Sequence, residues 1–331
     1  MHVLVTGGSG FIGAALVKRF LKDGHRVRVF DNNSRGRSRR LADVAADIEF
    51  IQGDIRDPEA VDAVTKGVEA VAHLAFVNGT EFFYQKPKLV LEVGVKGAIH
   101  TLDSAIRHGV PNYWLMSSSE VYQTPPEVPT DESAPFFIPD PTNPRYSYGG
   151  GKLISELLAI NYGRTDFQHV SVVRPHNVYG PDMGWEHVVP QFVLRAAEAV
   201  EEHPNGIVPF PIQGDGSQTR AFCYIDDFTE GCYLAFTKGE HLNIYHVGTQ
   251  EEVSIRTVAE EVLKQFGREC KILTGDLPEG GTPRRCPDIG KVHKLGYTPQ
   301  FDLAAGLAPT VAWYRENAAL REEDLGVGVA A

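Results

Sequence analysis

The stretch from residue 2 to residue 23 constrains the fold more than any other. A β-branched apolar run, HVLVT, breaks into TGGSGFIG and passes at once into an amphipathic segment, Phe11–Asp23. A strand that turns on glycines into a helix opens a βαβ unit, and such units wind right-handed with parallel strands. The alternation then continues. Strands are predicted over His2–Thr6, Arg26–Phe30, Ile48–Gln52, Ala70–Leu74, Tyr113–Ser117 and Val170–Arg174. Helices are predicted over Phe11–Asp23, Pro58–Lys66, Leu89–His108 and Ser147–Tyr162. This order predicts an α/β chain with a doubly wound parallel sheet, whose sites lie beyond the carboxyl ends of the strands. Thr6-Gly7 and Ser117-Ser118 both fall there.

The 331 residues are enough for one large α/β domain with an appendage. After Arg174 the pattern turns irregular, with PHNVYGPDMGWEHVVP and PFPIQGDGSQTRAF broken by glycine and proline. Residues 1–175 are read as a Rossmann-type cofactor domain and 176–331 as a smaller substrate-binding portion, with late segments free to return to the sheet. Thr124 to Pro144, rich in proline and acid, reads as a long surface loop beside the site. A net charge of −11 argues against a nucleic-acid or anionic-membrane partner, and no apolar run is long enough to span a bilayer. Cys223, Cys232, Cys270 and Cys286 lack paired spacing, so no zinc site or disulfide framework is expected. Reduced thiols and an opening HVLVT without a signal segment suit a cytoplasmic setting. The basic run Arg35, Arg37, Arg39 and Arg40 is expected to be a solvated loop rather than a phosphate grip.

Gly7, Gly10 and Gly13 are spaced by three, with Gly8 completing G-x-G-x-x-G, and Phe11 and Ile12 share the turn. Glycines let the backbone approach a pyrophosphate, whose charge then rests on the amides of a helix N-terminus. Asp31 ends the second strand, where a carboxylate accepts hydrogen bonds from an adenosine ribose and repels the extra phosphate of NADP. NAD is therefore the expected cofactor. After the third strand, Gly53-Asp54-Ile55 places Asp54 against the adenine amino group, although DIRDP also reads as an ordinary helix-capping turn.

YSYGGGK puts Tyr148 and Lys152 four apart, on one face of a helix. A cation near a phenol favours the phenolate; moving a phenol from pKa ~10 to ~7 needs roughly 4 kcal/mol, which the ammonium plus the positive nicotinamide ring of NAD are expected to supply. Such a phenolate can take a proton from a sugar hydroxyl while the carbon gives hydride to NAD. Three glycines at a helix start imply that something packs close to it, and the expected neighbour is the cofactor.

With these motifs in hand, the chain resembles the extended short-chain dehydrogenase/reductases, in particular the NAD-dependent nucleotide-sugar epimerases and dehydratases. The resemblance rests on TGGSGFIG, Asp31 and Asp54, HLAF at 73–76, SSSEVY, YSYGGGK, RPHNVYGP, QTRAFCYIDD and RRCPDI. It implies that Leu74, Ala75 and Phe76, together with Ile55, line the cofactor. It also implies that Asn177 touches the phosphates of a nucleotide-diphosphate sugar, that Arg220 and Arg285 clamp the diphosphate, and that the chain forms a homodimer. The chain departs from the family pattern at Gly94, where Asn is frequent, at Gln123, where glycine is usual, and at His176, where Phe is common. His176 is expected to be a packed, hydrogen-bonded histidine.

The resemblance further implies that each reaction begins by oxidising a sugar carbon, usually C4, to a ketone. Ser118 falls where the family hydrogen-bonds the reacting hydroxyl beside the tyrosine. Ser119-Glu120 follows, the pattern of GDP-mannose dehydratases and UDP-glucuronate decarboxylases, where most 4-epimerases carry small uncharged residues. A 4-ketone acidifies C5–H, and Glu120 can remove that proton and deliver it to a departing C6 hydroxyl. A 4-epimerase needs no such base, and burying an idle carboxylate costs desolvation energy. Alternatively, Glu120 points away and bonds a loop amide. The expected activity is that of a dehydratase, with a 4-epimerase as the alternative and a decarboxylase or a non-catalytic NAD-binding protein behind both.

Overall fold

A computed structural model describes residues 1–276 and 283–327. Its centre is a seven-stranded, wholly parallel sheet. Six strands are β1 (His2–Thr6), β2 (Arg26–Asp31), β3 (Ile48–Gln52), β4 (Ala70–His73), β5 (Asn112–Met116) and β6 (His169–Pro175). The seventh, Asn243–Val247, returns from the C-terminal half and pairs with β6. The order is Asn243–Val247, β6, β5, β4, β1, β2, β3. Winding reverses between β1 and β4, which opens a crevice above their carboxyl ends. Every residue of β1 is buried, as helices covering both faces require, whereas the edge strand β3 keeps exposed positions.

The helices follow their apolar spacing. In α1 (Phe11–Lys22), Ala14, Val17 and Phe20 fall on one buried stripe. In α2 (Pro58–Thr65), the Asp57 carboxylate accepts the amides of Glu59 and Ala60, and Pro58 occupies the first turn. The segment expected as one helix over Leu89–His108 runs without interruption over residues 87–107, but it contains a π-helical turn. After α3 (Thr80–Gln85) come α4 (Pro87–Leu91), a π-helical turn over Glu92–Lys96, and α5 (Gly97–Arg107). Gly94 lies in that turn directly under the Phe76 ring, where a Cβ would come within 2.2 Å of Cζ. A wide turn of this kind commonly marks a functional surface. Next, α6 (Ser147–Asp166) crosses the end of β5 with Tyr148 and Lys152 buried.

A separate apolar core forms in the C-terminal half around Trp185, Phe192, Phe210 and Val258. Beside it a small sheet pairs Thr219–Ala221 with Glu252–Ser254 and with Arg284–Arg285, setting Arg220 opposite Arg285. Among the described residues no helix is long and apolar enough to cross a membrane, and no cluster of metal-ligating side chains occurs.

Candidate active site

One cavity of about 980 Å³ lies above the carboxyl ends of the strands. Gly7, Gly10, Phe11, Ile12, Gly13, Asp31, Asp54, Ile55, Leu74, Ala75 and Phe76 line one part of it, and Ser118, Ser119, Glu120, Tyr148, Lys152, Asn177 and Arg285 the other. Arg220, also expected at the substrate, is not in the wall; it is the register partner of Arg285 in the small sheet.

Sheet register builds the cofactor side. Thr6 pairs with Phe30 and His73 across its two neighbours. Its hydroxyl meets His73 Nδ1 at 2.8 Å and accepts the amides of Leu74 and Ala75 at 3.2 and 3.3 Å. This holds the Leu74–Phe76 backbone against the glycine turn, where a Cβ on Gly7 would stand 2.7 Å from the Ala75 nitrogen. Gly7 also has φ +73°, which glycine tolerates without strain. Gly10 caps α1 without a side-chain hydrogen bond, so the first amides of the helix are left for an anion. The Asp31 carboxylate is fixed by the Ser9 amide at 3.0 Å and the Asn33 amide at 2.8 Å. These features fit a dinucleotide: orphan amides for the pyrophosphate and an anchored carboxylate for the ribose. Asp54 faces the cavity, but both its oxygens are bonded by Arg56, which holds its carboxyl below the usual range.

The reactive side is apolar and tight. Tyr148 is buried, with its ring stacked on Phe83 at 5.0 Å and edge-on to Phe76 at 5.1 Å. Burial pushes its phenol above the ordinary value, opposed by a hydrogen bond with the Ser118 hydroxyl and reinforced by the Glu120 charge. Lys152 shares the helix face, as its spacing requires. Its ammonium, however, donates to the Met116 carbonyl at 2.7 Å and lies 4.0 Å from the Phe76 ring centroid. Burial pushes Lys152 down to about 7, while Glu156 works against the shift. Burial disfavours the charged form of both groups, and that is the cost which the amine and the positive nicotinamide ring are together expected to offset.

That shift has a measurable consequence. Lys152 holds its proton more weakly folded than unfolded, so between pH 7 and its ordinary value near 10.4 the unfolded chain binds more protons and stability gains with rising pH. Lys152→Met is expected to remove up to about 1.4 kcal/mol per pH unit of that slope, measured by urea unfolding across the window.

Glu120 turns toward the cavity and forms an ion pair with Arg285. The rival expectation, a carboxylate turned outward onto a loop amide, is not what the geometry shows. Asn177 adopts φ +41° at the wall, and its side-chain amide donates to the Ala221 carbonyl at 3.3 Å. Three other expectations are corrected. The close neighbours of the glycines in α6 are protein groups, since a Cβ on Gly149 would meet Gln123 Nε2 at 2.4 Å and one on Gly151 would meet Phe76 at 2.9 Å. His176 is packed edge-on to His246 at 4.7 Å, yet neither of its ring nitrogens has a hydrogen-bond partner among the described residues. Arg37, Arg39 and Arg40 are not solvated; they are ion-paired to Asp182 and Asp324.

Sequence reasoning passed over Glu156 and Phe83, and marked Gln123 only as a departure from the family's glycine. Glu156 lies one turn beyond Lys152, pairs with Arg174 through both oxygens and accepts the Ser117 hydroxyl. Its i, i+4 spacing from the lysine was the available signal. Gln123 stands at φ +54°, ψ −87°, a backbone state that suits glycine, and its amide nitrogen donates to the Glu120 carbonyl at 2.6 Å. Both Gln123→Ala and Gln123→Gly lose that bond. The glycine variant is expected to be more stable than the alanine variant by ~1 kcal/mol in chemical denaturation, because only alanine keeps the Cβ clash.

Residues 3–248 match the model of the NAD dependent epimerase/dehydratase family. The chain belongs to that family. Its members use NAD, and the glycine turn, Asp31 and the Tyr148–Lys152 pair line one cavity. The chain is 32% identical to a dTDP-glucose 4,6-dehydratase of Streptomyces antibioticus, over 96% of this chain and 94% of the relative. It is 31% identical to UDP-glucuronic acid decarboxylase 1 of Arabidopsis thaliana, over 99% of this chain and 73% of the relative. The crystal structure of a dTDP-glucose 4,6-dehydratase from Streptomyces venezuelae, with NAD bound, superposes with a TM-score of 0.85 and 32% identity, covering 98% of this chain and all of that one.

Proposed function

We propose that the protein is a lyase that acts on a nucleotide-diphosphate sugar through a 4-keto intermediate and releases water, with Glu120 as the acid/base. The observation that carries this reading is the Glu120 carboxylate in the cavity wall, ion-paired to Arg285 two residues from Ser118. NAD, when bound, takes a hydride from the sugar carbon and returns it at the end of the cycle. Tyr148 holds and moves the proton of the reacting hydroxyl, and Ser118 orients that hydroxyl through its bond to the phenol. Lys152 is fixed between the Met116 carbonyl and the Phe76 face, within reach of both the tyrosine ring and the cofactor part of the cavity. Phe76 and Phe83 keep water from the phenol. Glu120 takes the C5 proton from the ketone and passes it to the C6 hydroxyl, which leaves as water; C6 then receives the returned hydride and C5 a proton from solvent. Ser119, buried next to it, is read as a substrate-binding residue. Asn177, Arg285 and Arg220 supply polar and cationic groups toward the substrate phosphates, with Arg285 also setting the direction of the Glu120 carboxylate.

One observation favours a second reading. Arg220 and Arg285 are register partners in the small sheet, with Arg285 paired to Glu120 and facing the cavity, and two such arginines suit a sugar carboxylate as well as a phosphate. On a uronic-acid substrate the same 4-ketone leads to loss of carbon dioxide. Incubation with UDP-, GDP-, dTDP- and CDP-sugars and their uronates, followed by product mass, separates the cases. Loss of water is the expected result, and loss of carbon dioxide supports the second reading. An unchanged mass with inverted C4 overturns both in favour of an epimerase.

The residue 176–331 portion is read as the substrate-binding part of a homodimeric, cytoplasmic enzyme. Leu91 of α4 and Ile154 and Leu157 of α6 are exposed on helices that pack together, which supports pairing of two copies there. All four cysteines are free, which supports a reducing compartment.

A further inference from the structure

The loop after β2 carries Arg35, Arg37, Arg39 and Arg40, where a dinucleotide fold can offer a guanidinium to the 2′-phosphate of NADP. Arg37 and Arg40 reach the cavity wall, so position alone would favour that phosphate. Carboxylates from distant parts of the chain occupy them instead. Arg37 donates from Nε to Asp324 Oδ1 at 2.5 Å and from Nη2 to the Asp324 carbonyl at 2.7 Å. Arg39 spans both acids, reaching Asp182 at 2.7 and 3.0 Å and Asp324 at 2.7 and 2.8 Å. Arg40 bonds the Asp182 carboxylate at 3.0 Å and its carbonyl at 2.8 Å. Asp324 also accepts the Trp185 indole N–H at 2.7 Å, and its side chain is only 6% exposed. It belongs to the final helix, Leu320–Val327, which forms part of the wall beside this loop.

We propose that Asp324 is a cofactor-specificity residue: by engaging Arg37 and Arg39 it withholds the guanidiniums that would hold a 2′-phosphate, and so acts with Asp31 to select NAD over NADP. While the Asp324 carboxylate holds Arg37, that guanidinium is not offered to a ligand; once the carboxylate is removed, it is. A 2′-phosphate carries negative charge to that spot, whereas the 2′-hydroxyl of NAD gains nothing from the change. The inference concerns the cofactor alone and holds whichever reaction the sugar undergoes.

The test is a displacement titration of NAD bound to the full-length protein with NADP, read by calorimetry. Asp324→Asn keeps the size of the side chain and an oxygen for Trp185 but removes the charge. The affinity ratio of NADP to NAD is expected to rise about tenfold, the scale of one charge-assisted hydrogen bond. Adding Arg37→Ala to that variant is expected to return the ratio to the wild-type value. Arg37→Ala alone should leave it unchanged, and this arm remains readable if the Asp324 variant fails to fold. An unchanged ratio in Asp324→Asn, an equal fall of both affinities, or a lower ratio in Arg37→Ala alone would overturn the proposal.

Discussion

Tyr148→Phe is expected to lower turnover roughly 10²- to 10⁴-fold, the range that a positioned proton-transfer group supplies. The phenol is buried, walled by Phe76 and Phe83, and lines the cavity with Ser118 and with no other titratable hydroxyl of its kind beside it among the described residues. Phenylalanine preserves the stacking, so the fold and NAD binding should survive while the proton has nowhere to go. Steady-state turnover, together with NAD content after purification, reads both halves. A variant that keeps its turnover would remove the tyrosine from the mechanism.

Glu120→Gln is expected to lose a comparable factor, roughly 10²- to 10⁴-fold, but at a different step. Glutamine retains the size of the side chain and one oxygen for Arg285 yet cannot accept the C5 proton. Sugar oxidation should therefore still proceed and stall, visible as the absorbance of reduced cofactor after mixing with substrate. In the wild type that absorbance should stay low, because the hydride is returned within each cycle. Equal loss of both steps would mean that Glu120 only braces Arg285.

Much of this architecture was legible in the sequence, and the reason is burial. β1 and β4 to β6 are apolar runs covered on both faces, so their limits stand out within a residue or two. The glycine turn was legible because its purpose, close approach of backbone to backbone and to an anion, needs no long-range information. What escaped depends on partners far away in the chain. The π-helical turn at Glu92–Lys96 forms where the ring of Phe76 presses on Gly94, and helical periodicity does not register such a wedge. The arginine run looked solvated because its counter-charges, Asp182 and Asp324, arrive well over a hundred residues later. The tyrosine and lysine were found by spacing, which gave their shared face. It could not give the direction of the ammonium, which the Met116 carbonyl at the end of β5 decides. The glycines of α6 signalled a tight contact correctly, but Gln123 and Phe76 make it.

In the proposed reaction the carboxylate at position 120 exchanges the sugar C5 proton once the neighbouring carbon is oxidised. Turnover of the accepted nucleotide sugar in heavy water, with the product read by proton NMR, tests this most directly. The account predicts deuterium at C5 in the wild-type product and none with Glu120→Gln. A product altered only at C4, with its original C5 proton intact, would contradict it.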